Sequence, residues 1–359
     1  MRRINRFVWV LLVMGVLGIL LFAVLGSCVT PPEFVESEWY EATKAYDISR
    51  LYEPHVNPDG TFFNPWMPRP ELPIFTRMFT SRTKFPDFPA QKYAWQENDY
   101  NYLRDTNNTS ISFAGHASII IKMNGETIFA DPFFSGRALI IGKDVEIKFD
   151  FDKAPEHPVV LISHNHYDHL DTASIEELIK KDAVFIVPLK LKDFFTDLGA
   201  REVYELDWWG SVRLGEITYT LLPAQHWSRR FGQGTNETLW GSFLIQGAKT
   251  IYFSGDTGYF RGFEEFGKKY AIDYALIGVG AYEPRWFMHY MHMNVAEFFL
   301  AAAELNAKTA IPMHFGVISL SDEPLVYPLY AIELFIAAHP EYSDRVKSLR
   351  VGEWMEIAP

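Results

Sequence analysis

The stretch Ser163-His164-Asn165-His166-Tyr167-Asp168-His169 decides which fold and chemistry this chain is expected to have. It follows the apolar strand candidate Val159–Ser163 and precedes a segment of helical periodicity. In an ordinary core, its three imidazoles and one carboxylate would each need a separate buried hydrogen-bond partner. A bound metal satisfies all of them together, and the H-x-H-x-D-H pattern rarely arises by chance.

The spacing within this motif predicts two metal ions rather than one. Because alternate residues leaving a strand point the same way, His164 and His166 would bind one ion together. Asp168 and His169, adjacent on the following turn, would face a second ion. Each ion still lacks ligands, and these must come from other strands that end at the same edge.

Three residues elsewhere meet that requirement because each comes just after a strand candidate. Taken alone, either histidine among them would more often be a hydrogen-bonded loop residue than a ligand. Beside the histidine-rich motif, all three are predicted ligands, and neighbouring glycines would let the chain turn sharply next to them. They are His226 after Ile217–Leu222, Asp256 after Thr250–Phe253 and His314 after Thr309–Met313, with Gly255, Gly258 and Gly316 beside them.

The body of the chain alternates short β-rich runs with turns and a few helices, which predicts a layered α/β sandwich in one domain. The other strand candidates are Ser110–Phe113, Ala117–Met123, Thr127–Ala130, Ala183–Val187, Ser242–Gln246 and Tyr274–Ile277. The helix candidates are Ala173–Lys181, Leu189–Leu198, Val295–Leu305 and Leu329–Ala338.

The N-terminus has the pattern of an export signal. Three arginines precede an uncharged apolar run, Phe7–Leu25, and small residues precede the chain's one cysteine, Cys28. Leu25-Gly26-Ser27-Cys28 resembles a bacterial lipoprotein processing site, so residues 1–27 are predicted to be a signal peptide and Cys28 to be acylated. An uncleaved signal anchor is the alternative. The expected location is the bacterial cell envelope, with the outer membrane favoured.

Composition narrows the remaining possibilities. With Cys28 acylated, no thiol remains for a disulfide, a metal ligand or a nucleophile. The net charge of −12 argues against non-specific binding to nucleic acid or to anionic lipid headgroups, while leaving room for a local basic groove. Residues 28–60 are predicted to be a tether, with one short helix at most. Residues 61–359 are predicted to be the catalytic domain, which begins with an irregular aromatic arm.

Together these motifs resemble the metallo-β-lactamase superfamily, and most closely its branch of N-acyl-phosphatidylethanolamine-hydrolysing phospholipases D. Ala281–Met288 is the most branch-specific match, whereas Arg137–Asp152 matches nothing and animal members lack the lipoprotein site. The matching stretches are Phe63–Trp66, Gly115–Ala117, Asp131-Pro132, Ser163–His169, Gln225–Trp227, Leu239–Ser242, Gly255–Tyr259, Gly280–Met288 and His314–Gly316.

The resemblance implies an αββα four-layer sandwich with two zinc ions at one edge. It assigns His164, His166 and His226 to the first ion, Asp168, His169 and His314 to the second, and makes Asp256 the bridging ligand. Asp131 would orient the histidine-rich loop from behind the ligands, although a strand-end aspartate that caps a turn is an equal alternative. His292 would lie in the substrate cleft and contact the phosphate or the leaving group.

The other histidines and several aromatic residues have simpler interpretations. His116 is expected to brace the fold and His289 to lie at the surface. Trp227, Tyr259, Trp286 and Phe287 would either complete the core, which is favoured, or line an apolar channel.

Two cations held close together would make a bridging hydroxide available as the nucleophile. The first hypothesis is therefore a lipid-anchored phosphodiesterase that cleaves N-acylated phosphatidylethanolamine, with Asp168, Asp256 and His292 as its catalytic residues. The alternatives are a hydrolase of another ester, a lactone or a small phosphodiester, and then a non-catalytic lipoprotein with structural metals. A nuclease is the weakest of them. Nothing in the sequence indicates the oligomeric state.

Overall fold

The computed structural model describes residues 30–71, 76–77, 80, 82–104 and 108–357. Within these residues, two large β-sheets face each other and carry helices on their outer sides. The strands are β1 (Ser110–Gly115), β2 (Ser118–Met123), β3 (Glu126–Ala130), β4 (Arg137–Ala138), β5 (Ile141–Gly142), β6 (Val159–Leu161), β7 (Val184–Pro188), β8 (Glu202–Leu206), β9 (Ser211–Leu214), β10 (Ile217–Leu222), β11 (Ser242–Gln246), β12 (Thr250–Phe253), β13 (Tyr274–Gly278), β14 (Thr309–Met313) and β15 (Trp354–Glu356).

The first sheet has the order β15-β1-β2-β3-β6-β7-β8. Its first strands pair antiparallel, and β3, β6, β7 and β8 run parallel. The second sheet has the order β14-β13-β12-β11-β10-β9, in which β12, β13 and β14 are parallel and the rest are antiparallel. Strands β4 and β5 form a separate hairpin.

The helices are α1 (Glu36–Ala45), α2 (Thr172–Ile179), α3 (Lys192–Asp197), α4 (Gly262–Lys269), α5 (Arg285–Met288), α6 (Val295–Glu304) and α7 (Tyr327–Ala338). Short 3-10 helices span Ile48–Tyr52, Ala90–Tyr93, Asn101–Arg104, Phe151–Lys153 and Pro340–Tyr342.

Successive side chains along the strands point to opposite faces of the first sheet, and both faces are apolar, so both are covered. In β2, Ile119 and Ile121 point into the core between the sheets, whereas Ile120 points to the outer core. Residues Ile175 and Leu178 of α2 belong to that outer core, so helices cover this face. The mixed α/β sandwich with a helix layer outside the first sheet confirms the predicted fold class.

Helix α6 shows how local sequence sets an element boundary. Asn294 precedes the helix, and its side chain accepts a hydrogen bond from the Glu297 backbone amide at 2.9 Å. The Glu297 carboxylate in turn accepts one from the Asn294 amide at 2.8 Å. This reciprocal capping box satisfies two amides that the helix leaves unpaired. The helix ends at Glu304, within one residue of the predicted end.

One predicted helix boundary is wrong for a tertiary reason. Helix α3 was expected to begin at Leu189, but it begins at Lys192. The backbone amide of Leu189 donates a hydrogen bond to the Leu206 carbonyl of β8 at 3.1 Å, which extends the pairing of the strands. The half-exposed strands β8, β9 and β15 and the helices α4 and α5 were not predicted from the sequence.

The segment predicted as a tether contains helix α1, and this helix contacts the body of the protein. Trp39 packs edge-on against His289, and the Tyr46 hydroxyl accepts a hydrogen bond from the Arg261 amide at 2.5 Å. The predicted signal peptide and Cys28 lie outside the described residues. Among the residues that are described, none of the helices has both the length and the apolar content needed to span a bilayer.

Candidate metal-dependent active site

The predicted ligands meet because several strands end at the same edge of the sandwich. Strands β12 and β14 are parallel, and β10 points the same way because two antiparallel pairings separate it from β12. The first sheet contributes the histidine-rich turn after β6. The two sheets are joined at this edge by a hydrogen bond of 2.7 Å from the His314 amide to the His116 carbonyl.

Two glycines show how tightly the chain turns at this edge. Gly255, just before Asp256, has a φ of 54°, and a Cβ atom there would lie 2.5 Å from the Ser163 Cβ. A Cβ atom at Gly258 would lie 2.1 Å from the Tyr290 carbonyl oxygen. Gly255 is therefore needed for both its backbone conformation and the space beside it, whereas Gly258 is needed for space alone.

A first cluster brings together three of the predicted ligands, His164, His166 and His226. His164 Nε2 lies 2.8 Å from His166 Nδ1, and His226 Nε2 lies 3.2 Å from the same nitrogen. Asp256 Oδ2 lies 4.0 Å from His164 Nε2 and 3.8 Å from His226 Nε2. Three ring nitrogens and one carboxylate oxygen therefore surround a single point.

A second cluster contains Asp168, His169 and His314, together with His116. His116 Nε2 lies 2.8 Å from Asp168 Oδ2, and His169 Nε2 lies 3.6 Å from the same oxygen. His116 was expected only to brace the fold. Its position at the end of β1, equivalent to that of His314 at the end of β14, is the sequence signal that would have drawn attention to it.

Asp256 lies between the two clusters. Its Oδ1 atom is 2.9 Å from His314 Nε2, and its Oδ2 atom is 3.2 Å from His169 Nε2 while facing the first cluster. Oδ1 therefore faces the second cluster, and Oδ2 lies within 4.0 Å of side chains in both clusters, a position that suits a ligand shared by the two.

Behind the ligands, Asp131 holds the histidine-rich loop in place. Its Oδ1 atom accepts a hydrogen bond from the Ser163 amide at 2.7 Å. Its Oδ2 atom lies 2.7 Å from His169 Nδ1, which leaves His169 Nε2 facing the cluster. The Ser163 hydroxyl donates to Asp131 at 2.5 Å and lies 2.9 Å from His164 Nδ1. One buried carboxylate thus orients two of the predicted ligands.

The protonation of these groups differs between the clusters. Burial, together with neighbouring imidazoles, holds the pKa of His164 well below its usual value, and burial lowers that of His166 to about 4. Burial also lowers the pKa of His169, but the carboxylates around it outweigh this effect and raise the pKa well above its ordinary value. The first cluster therefore offers neutral imidazoles, and the carboxylates of the second attract a positive charge.

The unpaired atoms at the centre provide a test of whether a metal fits. His169 Nε2, His314 Nε2 and Asp256 Oδ1 are buried and, although the last two lie 2.9 Å apart, none of them forms a well-aligned hydrogen bond among the described residues. Such atoms destabilise a folded chain unless something else satisfies them. Nitrogen and carboxylate donors without cysteine suit zinc and related divalent ions. The residues present therefore fit a metal, with His164, His166, His226 and Asp256 on one side and Asp168, His169, His314 and Asp256 on the other.

A cavity of about 690 Å³ opens directly onto these clusters. His166, Asp168, Asp256 and His292 form its floor, and His292 Nδ1 lies 3.9 Å from Asp256 Oδ2. Apolar side chains form most of its wall, including Trp227, Phe287, Met288, Met291 and Leu320. Trp227 and Phe287 thus line a channel rather than only completing the core, whereas Tyr259 is fully buried.

Arg69 also lines the cavity, and nothing in its sequence context indicated this. Its guanidinium lies 3.8 Å above the Trp227 ring, and Trp227 packs edge-on against His166. Burial lowers the pKa of Arg69 to about 10, and within the described part of the chain no carboxylate forms an ion pair with it. His289, expected at the surface, instead stacks on Phe34 at 4.5 Å.

Comparisons with known proteins agree with this geometry. Residues 126–315, more than half of the chain, match the family model described as a beta-lactamase superfamily domain. Over 246 residues the chain is 32% identical to a mitochondrial N-acyl-phosphatidylethanolamine-hydrolyzing phospholipase D of Saccharomyces cerevisiae, covering 64% of this chain and 52% of that protein. The chain thus spans about half the length of the yeast relative.

Two other relatives are covered more fully. N-acyl-phosphatidylethanolamine-hydrolyzing phospholipase D 1 of Caenorhabditis elegans is 28% identical over 80% of this chain and 84% of its own length. A UPF0173 metal-dependent hydrolase of Pelotomaculum thermopropionicum is 31% identical over 69% of this chain and 99% of its own length.

Solved structures share the fold. A possible metal-dependent hydrolase from Veillonella parvula superimposes with a TM-score of 0.58 at 16% identity, covering 70% of this chain and 100% of that one. A metallo hydrolase from Ignicoccus hospitalis gives a TM-score of 0.53 at 20% identity, covering 70% and 99%. With the family match over residues 126–315, the chain belongs to the metallo-β-lactamase superfamily and is a metal-dependent hydrolase.

Proposed function

We propose that this protein is a phosphodiesterase with two zinc ions that cleaves N-acylated phosphatidylethanolamine or a closely related phospholipid. The observation that carries the proposal is the cavity, which joins a polar floor of metal-ligand residues to a wall of apolar side chains. A phospholipid has the same division, because its phosphate is charged and its acyl chains are apolar. The names of the yeast and nematode relatives support this substrate class.

When bound, the metal ions would supply Lewis acidity and lower the pKa of a water molecule, so that a nucleophile able to attack phosphorus is available at neutral pH. The protein's own residues orient the predicted metal ligands and enclose the site. Asp131 and Ser163 fix the rotation of His169 and His164, and Asp256 lies within reach of both clusters. Side chains fixed in this way would hold the cations where negative charge develops on the phosphate oxygens, so that little rearrangement is needed during the reaction.

His292 is the residue best placed to contact the substrate without being a predicted metal ligand. It lines the cavity floor, and its carbonyl accepts a hydrogen bond from Arg285 Nη1 at 3.0 Å. Burial lowers its pKa to about 3, so its imidazole is neutral at pH 7. We assign it to donating an N–H hydrogen bond to a phosphate oxygen or to the leaving alkoxide, which would take its proton from water.

The test is hydrolysis of N-acylated phosphatidylethanolamine vesicles by the full chain supplied with zinc. Water should add across the phosphorus–oxygen bond to give phosphatidic acid and an N-acylethanolamine, both detected by mass spectrometry. Metal analysis should find two zinc ions per chain. Arg201→Gln changes an exposed arginine that forms an ion pair with Asp182, so it serves as a surface-substitution control and should retain full activity.

A negative lipid assay leads to the alternative hypothesis. If no lipid product forms while the same preparation cleaves a lactone, another ester or a small phosphodiester, the phospholipase proposal is wrong and the broader hydrolase assignment remains. The relative from Pelotomaculum, matched over 99% of its length and named only as a metal-dependent hydrolase, makes this comparison worth including.

We also propose that the protein acts at the bacterial cell envelope, anchored by lipid on Cys28 after removal of residues 1–27. The apolar run Phe7–Leu25 and the motif that ends in Cys28 support this location. Incorporation of radiolabelled fatty acid into the wild type but not into Cys28→Ala tests it. Equal labelling of both proteins would contradict the proposal.

A further inference from the structure

Two tight turns beside the cavity carry exposed apolar side chains. The β4–β5 hairpin presents Leu139 and Ile140 in its turn and Ile141 at the start of β5, with exposed fractions of 54%, 87% and 45%. A second turn, closed by a bridge between Arg230 and Gln233, presents Phe231 with 93% of its surface exposed. Large apolar side chains that cluster at a protein surface typically mark a site that binds another protein, a membrane or a ligand.

Both turns belong to the rim of the same cavity. Leu139, Ile140, Ile141 and Phe231 all border the cavity that leads to the metal clusters. The β4–β5 turn lies within Arg137–Asp152, the stretch for which the sequence showed no counterpart in the family.

The charges around the rim are unlike those of the whole chain. The net charge is −12, yet three arginines border the cavity: Arg229 is exposed, Arg69 stacks on Trp227, and the buried Arg230 donates hydrogen bonds to the Asn165 and Leu170 carbonyls. Its carboxylates are Asp168 and Asp256, both of which belong to the metal clusters. An exposed cation such as Arg229 beside apolar tips complements a phospholipid surface, where phosphate groups overlie hydrocarbon.

The N-terminal part of the chain joins the body on this same wall. Phe34 stacks on His289 at 4.5 Å, and His289 directly follows Phe287 and Met288, which line the cavity. The apolar run Phe7–Leu25 ends only a few residues before Phe34. A membrane segment or acylated Cys28 would therefore hold the body with its cavity wall close to the lipid.

We propose that Leu139–Ile141 and Phe231 form a lipid-docking rim that inserts into the surface of a phospholipid bilayer and opens the cavity toward it. The occupant is the bilayer itself, which the apolar tips, the exposed Arg229 beside them and the nearby N-terminal segment all favour. The docking does not depend on which bond is hydrolysed. Only the passage of a lipid substrate from the bilayer into the cavity rests on the proposed function.

The experiment places a tryptophan at the rim of the full chain reconstituted in vesicles. Ile140→Trp is compared with Leu334→Trp, a matched substitution on α7 at a leucine that is 50% exposed and does not border the cavity. Both proteins have the same N-terminal segment, so they are tethered equally. Lipids brominated on their acyl chains should quench the added fluorescence of Ile140→Trp at least threefold more strongly than that of Leu334→Trp.

Phe231→Trp provides a second probe should Ile140→Trp fold poorly, and it should be quenched in the same way. Vesicles with anionic headgroups should strengthen the quenching, and Arg229→Gln should reduce that gain. Equal quenching of the rim and α7 probes, or none at either, would overturn the proposal. So would a concentration-dependent blue shift of the rim probes without vesicles, because that result identifies a second copy of the chain as the occupant.

This readout separates the two proposals. Selective quenching without hydrolysis of N-acylated phosphatidylethanolamine supports the docking rim while contradicting the phospholipase assignment. Hydrolysis without selective quenching contradicts the docking rim and leaves the phospholipase assignment in place.

Discussion

The floor and the rim of the cavity are built on opposite principles. At the floor, Asp256 is buried among several polar atoms, and directly behind it a neighbouring carboxylate fixes the rotation of the buried His169. At the rim, Ile140 and Phe231 project into solvent from turns. Buried polar groups tolerate little displacement because each lost partner costs free energy. Exposed turn tips have no such constraint, so the rim can vary with the substrate while the floor retains the chemistry.

Replacing the central carboxylate should produce the largest effect. Asp256→Asn retains the size of the side chain but removes the negative charge shared by the two clusters. Metal-assisted charge stabilisation contributes several kcal/mol, so kcat/KM should fall on the order of 10³-fold and bound metal should decrease. Steady-state kinetics and metal analysis on the same preparation measure both. An Asp256→Asn enzyme with undiminished activity would remove the shared-ligand role.

Replacing the carboxylate that orients the ligands from behind the floor should have a smaller but measurable effect on metal binding. Asp131→Asn places an amide against His169 Nδ1, where the carboxylate now accepts, and should weaken metal binding roughly 10- to 100-fold. Zinc titration with a competing chelator measures the affinity.

Asp171→Asn is the matched control for this change. Asp171 is also buried near the motif, but it accepts hydrogen bonds from the Ser135 amide and the Ser174 hydroxyl rather than from a histidine. Its zinc affinity should be unchanged. If both variants lose zinc equally, general destabilisation rather than ligand orientation explains the result.

The wall between floor and rim should affect binding more than the chemical step. Arg69 stacks on Trp227 and brings a positive charge to the cavity. Arg69→Gln should raise the KM for an anionic substrate about three- to tenfold, as expected for about 1 kcal/mol of lost attraction, with little change in kcat. The KM effect should shrink at high salt. A change in kcat alone would instead place Arg69 in the chemical step.

The smallest predicted effect concerns the attachment of helix α1 near the rim. Burial lowers the pKa of His289 to about 4, whereas an unfolded chain has the ordinary value of 6.5. The unfolded state therefore binds more protons between these pH values, so His289 makes stability fall as pH decreases from about 6.5 toward 4. His289→Phe should weaken this dependence in denaturant unfolding of the zinc-saturated protein.

An exposed histidine provides the control for that measurement. His339→Phe changes a side chain that is 48% exposed, and its pH dependence should match that of the wild type. Indistinguishable slopes for wild type and His289→Phe between pH 6.5 and 4 would show that the stacked imidazole contributes nothing to acid sensitivity.

Most of the sheet framework could be predicted because its strands carry strong local patterns. Strands β10, β11, β12 and β14 have the predicted bounds, since each is an apolar run between turn residues. The half-exposed strands β8, β9 and β15 lack that signal, because pairing with a neighbouring strand rather than their own composition makes them strands. Residue patterns alone do not contain that information.

The candidate site divides in the same way. The structure brings together the seven residues proposed as ligands. They could be predicted because each is a chemically suitable side chain at or just after the end of a strand. His116 and Arg69 were missed. His116 has the same strand-end position but stands alone in the sequence, and Arg69 reaches the cavity from an irregular arm with no periodic pattern.

The sequence by itself determined the donor atoms, the absence of a cysteine ligand after residue 28 and the strands that carry the ligands, because these depend on residue type and local spacing. Only the tertiary structure decided which nitrogen of each ring faces the centre, that Asp131 supports the ligands, and that two turns far apart in the chain share one rim. The physical reason is that these features arise when two sheets pack face to face, which brings together residues that no local pattern relates.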